Sequence, residues 1–367
     1  FTQAQIKLFN NFPSEEYHFL IQLLPWPHYH GVEHANSTVI TFGPAEKLED
    51  RKGYLDFLGI CSHEVFHVWN VTRMKPAELQ PANFATEQYF DSGFIAEGFT
   101  TYFGDLVLVK AGIISTEEYF EELNKLLKRH FENYGRLARP LSEASVDLWM
   151  DGYKKRHPHR TVSIYVKGAL VALMLDLQMR KHTSSKVHIG TLVQQMWLKY
   201  QQTGQGYTWH SCLEMANKLT GADNTSFFQK FVFGTETIEG LLEQLLDFAG
   251  CQLVSQSHPE AAASLLGIKV DTSTFPVKVV EVAPGSTAAQ LMRPGDEIMA
   301  INGKKLTTKV LESISSQYTQ EFIFFRNQQV RSGAIKHAGC EYYKSYQIVT
   351  SQNLTESQKK NQRNWLA

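Results

Sequence analysis

The sequence predicts a multidomain α+β protein, in which a mainly helical block precedes a small β-rich domain. The chain has 367 residues, enough for two or three domains with sizeable cores. From about residue 54 to about residue 250, apolar residues recur at helical spacing. From about residue 258, short apolar runs alternate with Gly, Pro and Asn turns, which is the pattern of strands.

We place the first domain at residues 1–257, with a short β segment at residues 1–45. "EYHFLIQLL" and "STVITFG" are typical of strands and flank a Pro/His-rich connection. "STEEYFEELNKLLKRHF" opens on a Ser-x-x-Glu capping box and predicts a helix. "SIYVKGALVALMLDLQMRK" and "TIEGLLEQLLDFAG" continue the helical pattern, and the second closes on a glycine, as helices often do.

The second domain is predicted at residues 258–350, after the polar stretch "SQSHPEAAAS". "PVKVVEVAPGSTAAQLMRPGDEIMAINGKKL" supplies strands, a short helix and an Asn-Gly hairpin, and "YYKSYQIVT" supplies a last strand. Residues 351–367 are polar, and we expect a C-terminal tail or helix there.

Composition argues against several classes of function. The formal net charge is −1, so the chain lacks the basic footprint of a nucleic-acid-binding protein. No apolar run approaches the roughly 20 residues that span a bilayer. The chain begins at Phe1 without a basic-then-apolar leader, so we expect a signal peptide to be absent or removed and the protein to be cytoplasmic or periplasmic.

The chain has four cysteines, and we expect all of them to be buried thiols. They are Cys61, Cys212, Cys251 and Cys340.

The stretch "GICSHEVFHVWN" places ionisable residues in an apolar run. His63 and His67 are four residues apart, so on a helix they point to one side and offer two imidazole ligands for zinc. Glu64, beside the first histidine, is the general base that the HExxH motif of metalloproteases requires. Short motifs of this kind also occur by chance in helices of unrelated proteins.

Glu97 in "DSGFIAEGFTTYFGD" is the predicted third ligand. A catalytic zinc site needs three protein ligands and leaves one position for water. The alternative, a surface glutamate on an amphipathic helix, fits poorly because apolar residues flank Glu97 on several faces. We therefore expect one Zn²⁺ per chain, held by His63, His67 and Glu97.

Several segments of the chain match, in the same order, those of the glycyl aminopeptidase family of gluzincin metallopeptidases, which the chain therefore resembles. The resemblance rests on "SHEVFHVWNVTRMKP", "GFIAEGFTTYFGDL", "SEASVDLWMDGY" and "TVSIYVKGALVALMLDLQMR". It implies a thermolysin-like catalytic domain with a C-terminal PDZ domain. It also implies a zinc aminopeptidase acting on peptides and preferring N-terminal Gly or Ala. Family members usually carry a further β-rich N-terminal domain, so we expect this chain to be a fragment, a processed form or a divergent member.

The resemblance also implies roles for single residues. Tyr165 in "YVKG" would donate a hydrogen bond to the developing oxyanion, although a tyrosine packed in the core is the alternative. Glu33 in "GVEHANS" would pair with the free α-amino group of the substrate, with Gly31 and His34 as neighbouring substrate contacts. The alternative for Glu33 is an exposed strand carboxylate.

In the second domain, Leu266, Gly267 and Ile268 would form the PDZ loop that binds peptide C-termini. The alternative is that this domain only packs on the catalytic block. Two other functions stay open: a zinc endopeptidase, if Glu33 does not face the metal, and a PDZ-containing binding or scaffold protein with a silent peptidase fold.

Overall fold

The computed structural model describes residues 1–151, 159–273 and 275–367, and it confirms a mixed helical and sheet fold. The N-terminal part contains, in chain order, α1 (Thr2–Phe9), β1 (His18–Leu23), β2 (His28–Glu33), β3 (Ser37–Gly43) and α2 (Arg51–Phe66). The helical block continues with a π-helical turn (Phe94–Phe99), α3 (Thr100–Lys110), α4 (Thr116–Phe131), α5 (Leu141–Val146), α6 (Leu148–Asp151), α7 (Val166–Thr183), α8 (Ile189–Thr203), α9 (Trp209–Thr220), α10 (Thr225–Phe231) and α11 (Glu239–Phe248).

The remaining elements are mostly strands. They are β4 (Cys251–Gln256), α12 (Ala261–Leu266), β5 (Ile268–Asp271), β6 (Val277–Val282), α13 (Ala288–Leu291), β7 (Glu297–Ile301), β8 (Lys304–Lys305), α14 (Thr308–Glu312), β9 (Gln320–Arg326), β10 (Gln329–Ile335), β11 (Ser345–Thr350) and α15 (Glu356–Leu366).

The first sheet has the strand order β1-β3-β2. Its central strand, β3, turns Thr38, Ile40 and Phe42 inward, where Ile40 and Phe42 pack against α2. The Pro/His-rich connection expected between two strands is itself partly a strand, β2, which is a correction. Its prolines lie in the bend before it, so every β2 residue can pair with β3 in an antiparallel ladder.

The helical block is built around α7, whose side chains are buried on nearly all faces from Val166 to Leu177. Apart from Lys167 and Asp176, the residues of this stretch are apolar or glycine, and a helix of this kind belongs at the centre of a core. The predicted capping box at the start of α4 is present. The Ser115 side chain accepts from the Glu118 amide at 3.1 Å, and the Glu118 side chain accepts from the Ser115 amide at 2.8 Å. None of the helices in the described part of the chain has the length and hydrophobicity to cross a bilayer.

The small β unit is an antiparallel sheet of order β10-β9-β7-β6-β5 with its own apolar core. The predicted Asn-Gly hairpin connects β7 to β8. Asn302 and Gly303 both have positive φ, 53° and 71°, as a type I′ turn requires.

The last part of the chain returns to the helical block. The sequence predicts residues 345–350 in the second domain, but β11 pairs with β4 and lies on α4. The terminal segment forms α15, and Trp365 is fully buried, with its indole N–H donating to the Tyr102 hydroxyl at 2.9 Å. The buried Trp365 side chain attaches this otherwise polar helix to the helical block.

Three of the cysteines are buried free thiols as expected, namely Cys61, Cys212 and Cys251. Cys340 is exposed, which corrects the expectation for that residue. It lies in the loop between β10 and β11.

Candidate metal centre

His63, His67 and Glu97 converge on one point. The His63 and His67 Nε2 atoms are 3.0 Å apart, and Glu97 Oε2 lies 3.4 Å from each of them. Ligands at zinc distance in a tetrahedron are roughly 3.3 Å from one another. The three atoms therefore have the spacing of a zinc site.

The chemistry of these atoms also fits a cation. The Nδ1 atom of His67 lies 2.8 Å from the Asn70 carbonyl, so Nδ1 carries the proton and Nε2 presents its lone pair to the site. Glu97 Oε2 is buried and has no hydrogen-bond partner among the described residues. Two imidazole nitrogens and an unsatisfied carboxylate oxygen facing one point are what a divalent metal would satisfy.

The end of α2 and the turn after it fix these histidines. His67 is the C-terminal cap of α2, still in helical conformation, and Asn70 follows in a tight turn. The next residue, Val71, has a φ of 110°, a strained conformation for a β-branched residue. The strain accompanies the turn that returns the Asn70 carbonyl to His67.

The Asn70 side chain connects this turn to the segment that carries Glu97. Its amide donates to the carbonyls of Ile95 and Ala96 at 2.8 and 3.2 Å and to the Thr100 hydroxyl at 3.1 Å. The Tyr207 hydroxyl donates to its oxygen at 3.1 Å. Asn70 thus holds both ligand-bearing segments, a role that the HExxH pattern does not contain.

Glu97 lies in the π-helical turn, Phe94–Phe99, directly before α3. A π-turn adds a residue to a helical turn and redirects the side chains that it carries, and such turns are frequent at functional sites. The sequence places Glu97 on an apolar helix but does not reveal this turn.

Glu64 is 4% exposed and lies against strand β2. A β-carbon built on Gly31 would come within 2.1 Å of Glu64 Oε1, so the carboxylate occupies the space that a side chain at position 31 would need. This explains the glycine in "GVEH". Gly31 contacts the predicted general base, whereas the sequence predicts for it only a substrate contact.

Glu33, two residues further along the same face of β2, also reaches the site. Its carboxylate, that of Glu64 and a His67 ring nitrogen all lie within 4.8 Å of one another. Glu33 therefore faces the candidate metal centre. His34 is exposed, and its ring lies 3.2 Å from the Val32 carbonyl within its own turn.

Tyr165 is the residue immediately before α7. Its ring is 6.3 Å from that of His63 between centroids, with 27° between the planes. The chain thus brings the predicted oxyanion donor alongside a predicted metal ligand, although about a hundred residues separate them in sequence.

The electrostatics of the site are those of a buried acidic cluster around two imidazoles. Burial raises the pKa of the Glu64 carboxyl, His63 and His67 lower it, and Glu33 and Glu97 raise it again. Although burial lowers the pKa of His67, the charge of Glu97 outweighs this and raises it to about 10. The cluster therefore favours a positive charge at His67 Nε2, either a proton on that nitrogen or a cation that takes the place of the proton.

The residues predicted to bind peptide C-termini lie in the small β unit. Leu266 ends α12, Ile268 begins β5, and both side chains are buried. Gly267 caps α12 with a φ of 74°, and its amide donates to the Ala263 carbonyl. That amide, expected to receive a carboxylate, is already engaged in the helix cap.

Part of the chain matches a model of a known protein family. Residues 56–171 match a family model described as M61 glycyl aminopeptidase. The segment matches a peptidase family. It includes Glu64, Tyr165 and the three candidate ligands, so the resemblance inferred from the sequence motifs is confirmed for this part.

Among solved structures, an aminopeptidase N family protein from Idiomarina loihiensis has a similar fold over the whole chain. The TM-score is 0.87 at 26% sequence identity, and the match covers 100% of this chain and 64% of that protein. The present chain therefore spans less than two thirds of its structural relative. A comparison with curated proteins found no match.

Proposed function

We propose that this chain is a zinc-dependent aminopeptidase that hydrolyses the N-terminal bond of peptides. The proposal rests on the convergence of His63, His67 and Glu97, with ligand atoms 3.0 to 3.4 Å apart and two further carboxylates beside them. The match to a peptidase family over the same segment supports it.

One Zn²⁺ held by these three residues would supply Lewis acidity for the scissile carbonyl and for a water molecule. Glu64 takes the proton of the attacking water and returns it to the leaving amine. Its burial supports this role, because a carboxyl with a raised pKa holds a transferred proton well. Tyr165, beside His63, donates its hydroxyl proton in a hydrogen bond to the developing oxyanion.

Glu33 distinguishes an aminopeptidase from an endopeptidase. A carboxylate at the end of β2, close to Glu64, can pair with the α-ammonium group of a peptide whose first bond lies at the metal. In the described part of the chain β2 pairs on one side only, with β3. Its free edge is suited to an extended peptide, which it would align as an added strand. The preference for Gly or Ala comes from the family resemblance.

The finer domain layout belongs to the same proposal. We assign the helical block, with its N-terminal sheet and with β11, to a thermolysin-like catalytic domain. In this proposal residues 258–344 form a PDZ-like domain, because β11 pairs with β4. The separate core of the small β unit supports the division. Because the Gly267 amide is engaged, any peptide that binds there would pair with β5, which in the described part of the chain is an edge strand.

The test is hydrolysis of paired peptides, one with a free N-terminus and one N-acetylated, by the zinc-loaded protein. We expect only the free-amine peptide to be cleaved. Glu33→Gln should raise KM for that peptide, because the α-ammonium loses its charge partner. The matched control is Glu312→Gln, an exposed carboxylate of α14 in the small β unit.

Equal cleavage of both peptides by the wild type would instead establish an endopeptidase. A normal KM in Glu33→Gln would remove Glu33 from amine recognition. If neither peptide is cleaved by protein that binds zinc, the binding-protein alternative replaces the enzyme.

A further inference from the structure

A second cavity lies between the helical block and the small β unit, separate from the metal centre. Its volume is about 320 Å³, enough for a small ligand. Its walls come from the end of α4 and the turn after it, the residues around the start of α7, and strands β5 and β6.

Lys167 is the most unusual residue of this cavity. It is 2% exposed, and its Nζ is buried without a hydrogen-bond partner among the described residues. A buried ammonium without a partner is costly, so proteins normally pair it or neutralise it. Burial and the charge of Arg136 lower its pKa to about 8, which leaves it mainly protonated at neutral pH.

Two other unsatisfied polar atoms line the same cavity. Arg136 Nε and the Thr161 hydroxyl are buried and lack hydrogen-bond partners in the described part of the chain. Together with Lys167 Nζ, all three can donate a hydrogen bond. Such a group of unsatisfied donors around one cavity indicates a missing acceptor.

Two carboxylates, Glu132 and Glu281, line the cavity among the described residues, and both pair with other groups. Glu132 lies 2.7 Å from Lys269 Nζ, and Glu281 lies 3.9 Å from the same atom. The Arg136 Nη1 nitrogen lies 3.7 Å from Glu239, and Nε has no hydrogen-bond partner among the described residues. Four of the described residues that line the cavity carry positive charge, Arg129, Arg136, Lys167 and Lys269, and only two, Glu132 and Glu281, carry negative charge.

We propose that this cavity binds a small oxyanion, a phosphate or carboxylate group, which accepts hydrogen bonds from Lys167, Arg136 and Thr161. Lys167 follows Tyr165 by two residues, so the oxyanion would also tie the first turn of α7 to the small β unit. The site would couple the position of that unit to the segment that carries Tyr165.

The test compares thermal unfolding of the zinc-loaded wild type and Lys167→Met with and without inorganic phosphate. We expect phosphate to raise the wild-type unfolding temperature by roughly 2–5 °C more than that of Lys167→Met. Phosphate can also bind at the metal centre, which both proteins share, so the difference between them is the result. Without oxyanions, Lys167→Met should be at least as stable as the wild type. Lys199→Met, which removes an exposed lysine of α8, is the matched control and should behave as the wild type.

Thr161→Val provides a milder variant if Lys167→Met does not fold, and it should reduce the phosphate shift. Crystals soaked in selenate locate the anion directly, with selenium expected beside Lys167. Equal phosphate shifts in the wild type and the cavity variants, or selenate at the metal centre alone, would overturn the proposal.

The source of the oxyanion is distinguished by N-acetylglycine and its neutral amide. A Lys167-dependent shift with phosphate but not with N-acetylglycine assigns the cavity to free phosphate. A shift with N-acetylglycine but not with the amide assigns it to a peptide carboxylate.

Discussion

Gly98 and Gly168 are in direct backbone contact. A β-carbon at Gly98 would lie 2.5 Å from the Gly168 α-carbon, and one at Gly168 would lie 2.8 Å from the Gly98 α-carbon. Gly98 follows Glu97 in the π-helical turn, and Gly168 lies three residues after Tyr165. The contact thus sets the distance between a candidate metal ligand and the candidate oxyanion donor.

Gly98→Ala should therefore separate the two segments. We expect a loss of about 1–3 kcal/mol in unfolding free energy from overpacking, and zinc affinity roughly 10-fold or more weaker because Glu97 moves. Zinc affinity is measured by competition with a chromogenic chelator, and stability by urea denaturation.

Gly240→Ala is the matched control. Gly240 lies on the exposed side of α11, and a β-carbon added there would have no atom within 4 Å, so alanine should add about 0.5–1 kcal/mol of stability. Unchanged zinc affinity in Gly98→Ala would show that the glycine contact does not position Glu97.

Gly31→Ala should displace the Glu64 carboxylate, because the new methyl group would occupy its position. We expect kcat to fall roughly 100-fold or more, while zinc binding stays close to the wild type. Val32→Ala, which changes an exposed neighbour on the opposite face of β2, is the control. Steady-state kinetics and zinc titration give both quantities. A Gly31→Ala protein with wild-type kcat would show that β2 does not position the Glu64 carboxylate.

Asn70→Ala should weaken zinc binding by roughly 10-fold or more, because His67 loses the turn that orients its ring. Loss of the side-chain amide also leaves the carbonyls of Ile95 and Ala96 without this donor, at a cost of about 1–3 kcal/mol. Tyr207→Phe, which removes only the bond to the Asn70 oxygen, should have the smaller effect on zinc. Calorimetric zinc titration measures the zinc affinity of both variants. A larger loss of zinc affinity in Tyr207→Phe than in Asn70→Ala would contradict the role given to Asn70.

Because Lys167 is buried, we expect the free energy of unfolding to depend on pH. Burial lowers its pKa from 10.5 to about 8 in the folded state, so the unfolded chain holds the proton to higher pH. The destabilisation is fully present below about pH 8 and is relieved as pH rises toward 10.5. In oxyanion-free buffer, the stability of the wild type relative to Lys167→Met should therefore rise between about pH 8 and about pH 10. Denaturation of both proteins at several pH values measures this difference in stability. A difference that does not change with pH would exclude a buried, charged Lys167.

Local spacing was sufficient for part of the candidate site. Residues four apart on a helix face one side, so the sequence alone places His63 beside His67. The capping box of α4 and the Asn-Gly hairpin were also predictable, because each depends on residues close in sequence.

Contacts between distant segments were not predictable in this way. The closeness of Gly31 to Glu64 depends on how β2 lies on α2, and no periodicity encodes it. The π-helical turn at Glu97 and the orientation of His67 by the Asn70 carbonyl likewise need the folded chain. The same holds for β11, whose strand character was evident but whose partner, β4, lies about ninety residues earlier.

The central claim is that one zinc ion, held by His63, His67 and Glu97, supports hydrolysis with Glu64 as the base. The most direct test adds zinc stepwise to chelator-treated protein and follows hydrolysis of a glycyl p-nitroanilide. We predict that activity rises in proportion to zinc and stops at one equivalent per chain, whereas Glu64→Gln binds the same equivalent and stays inactive. Full activity without metal, or an active Glu64→Gln protein, would contradict the account.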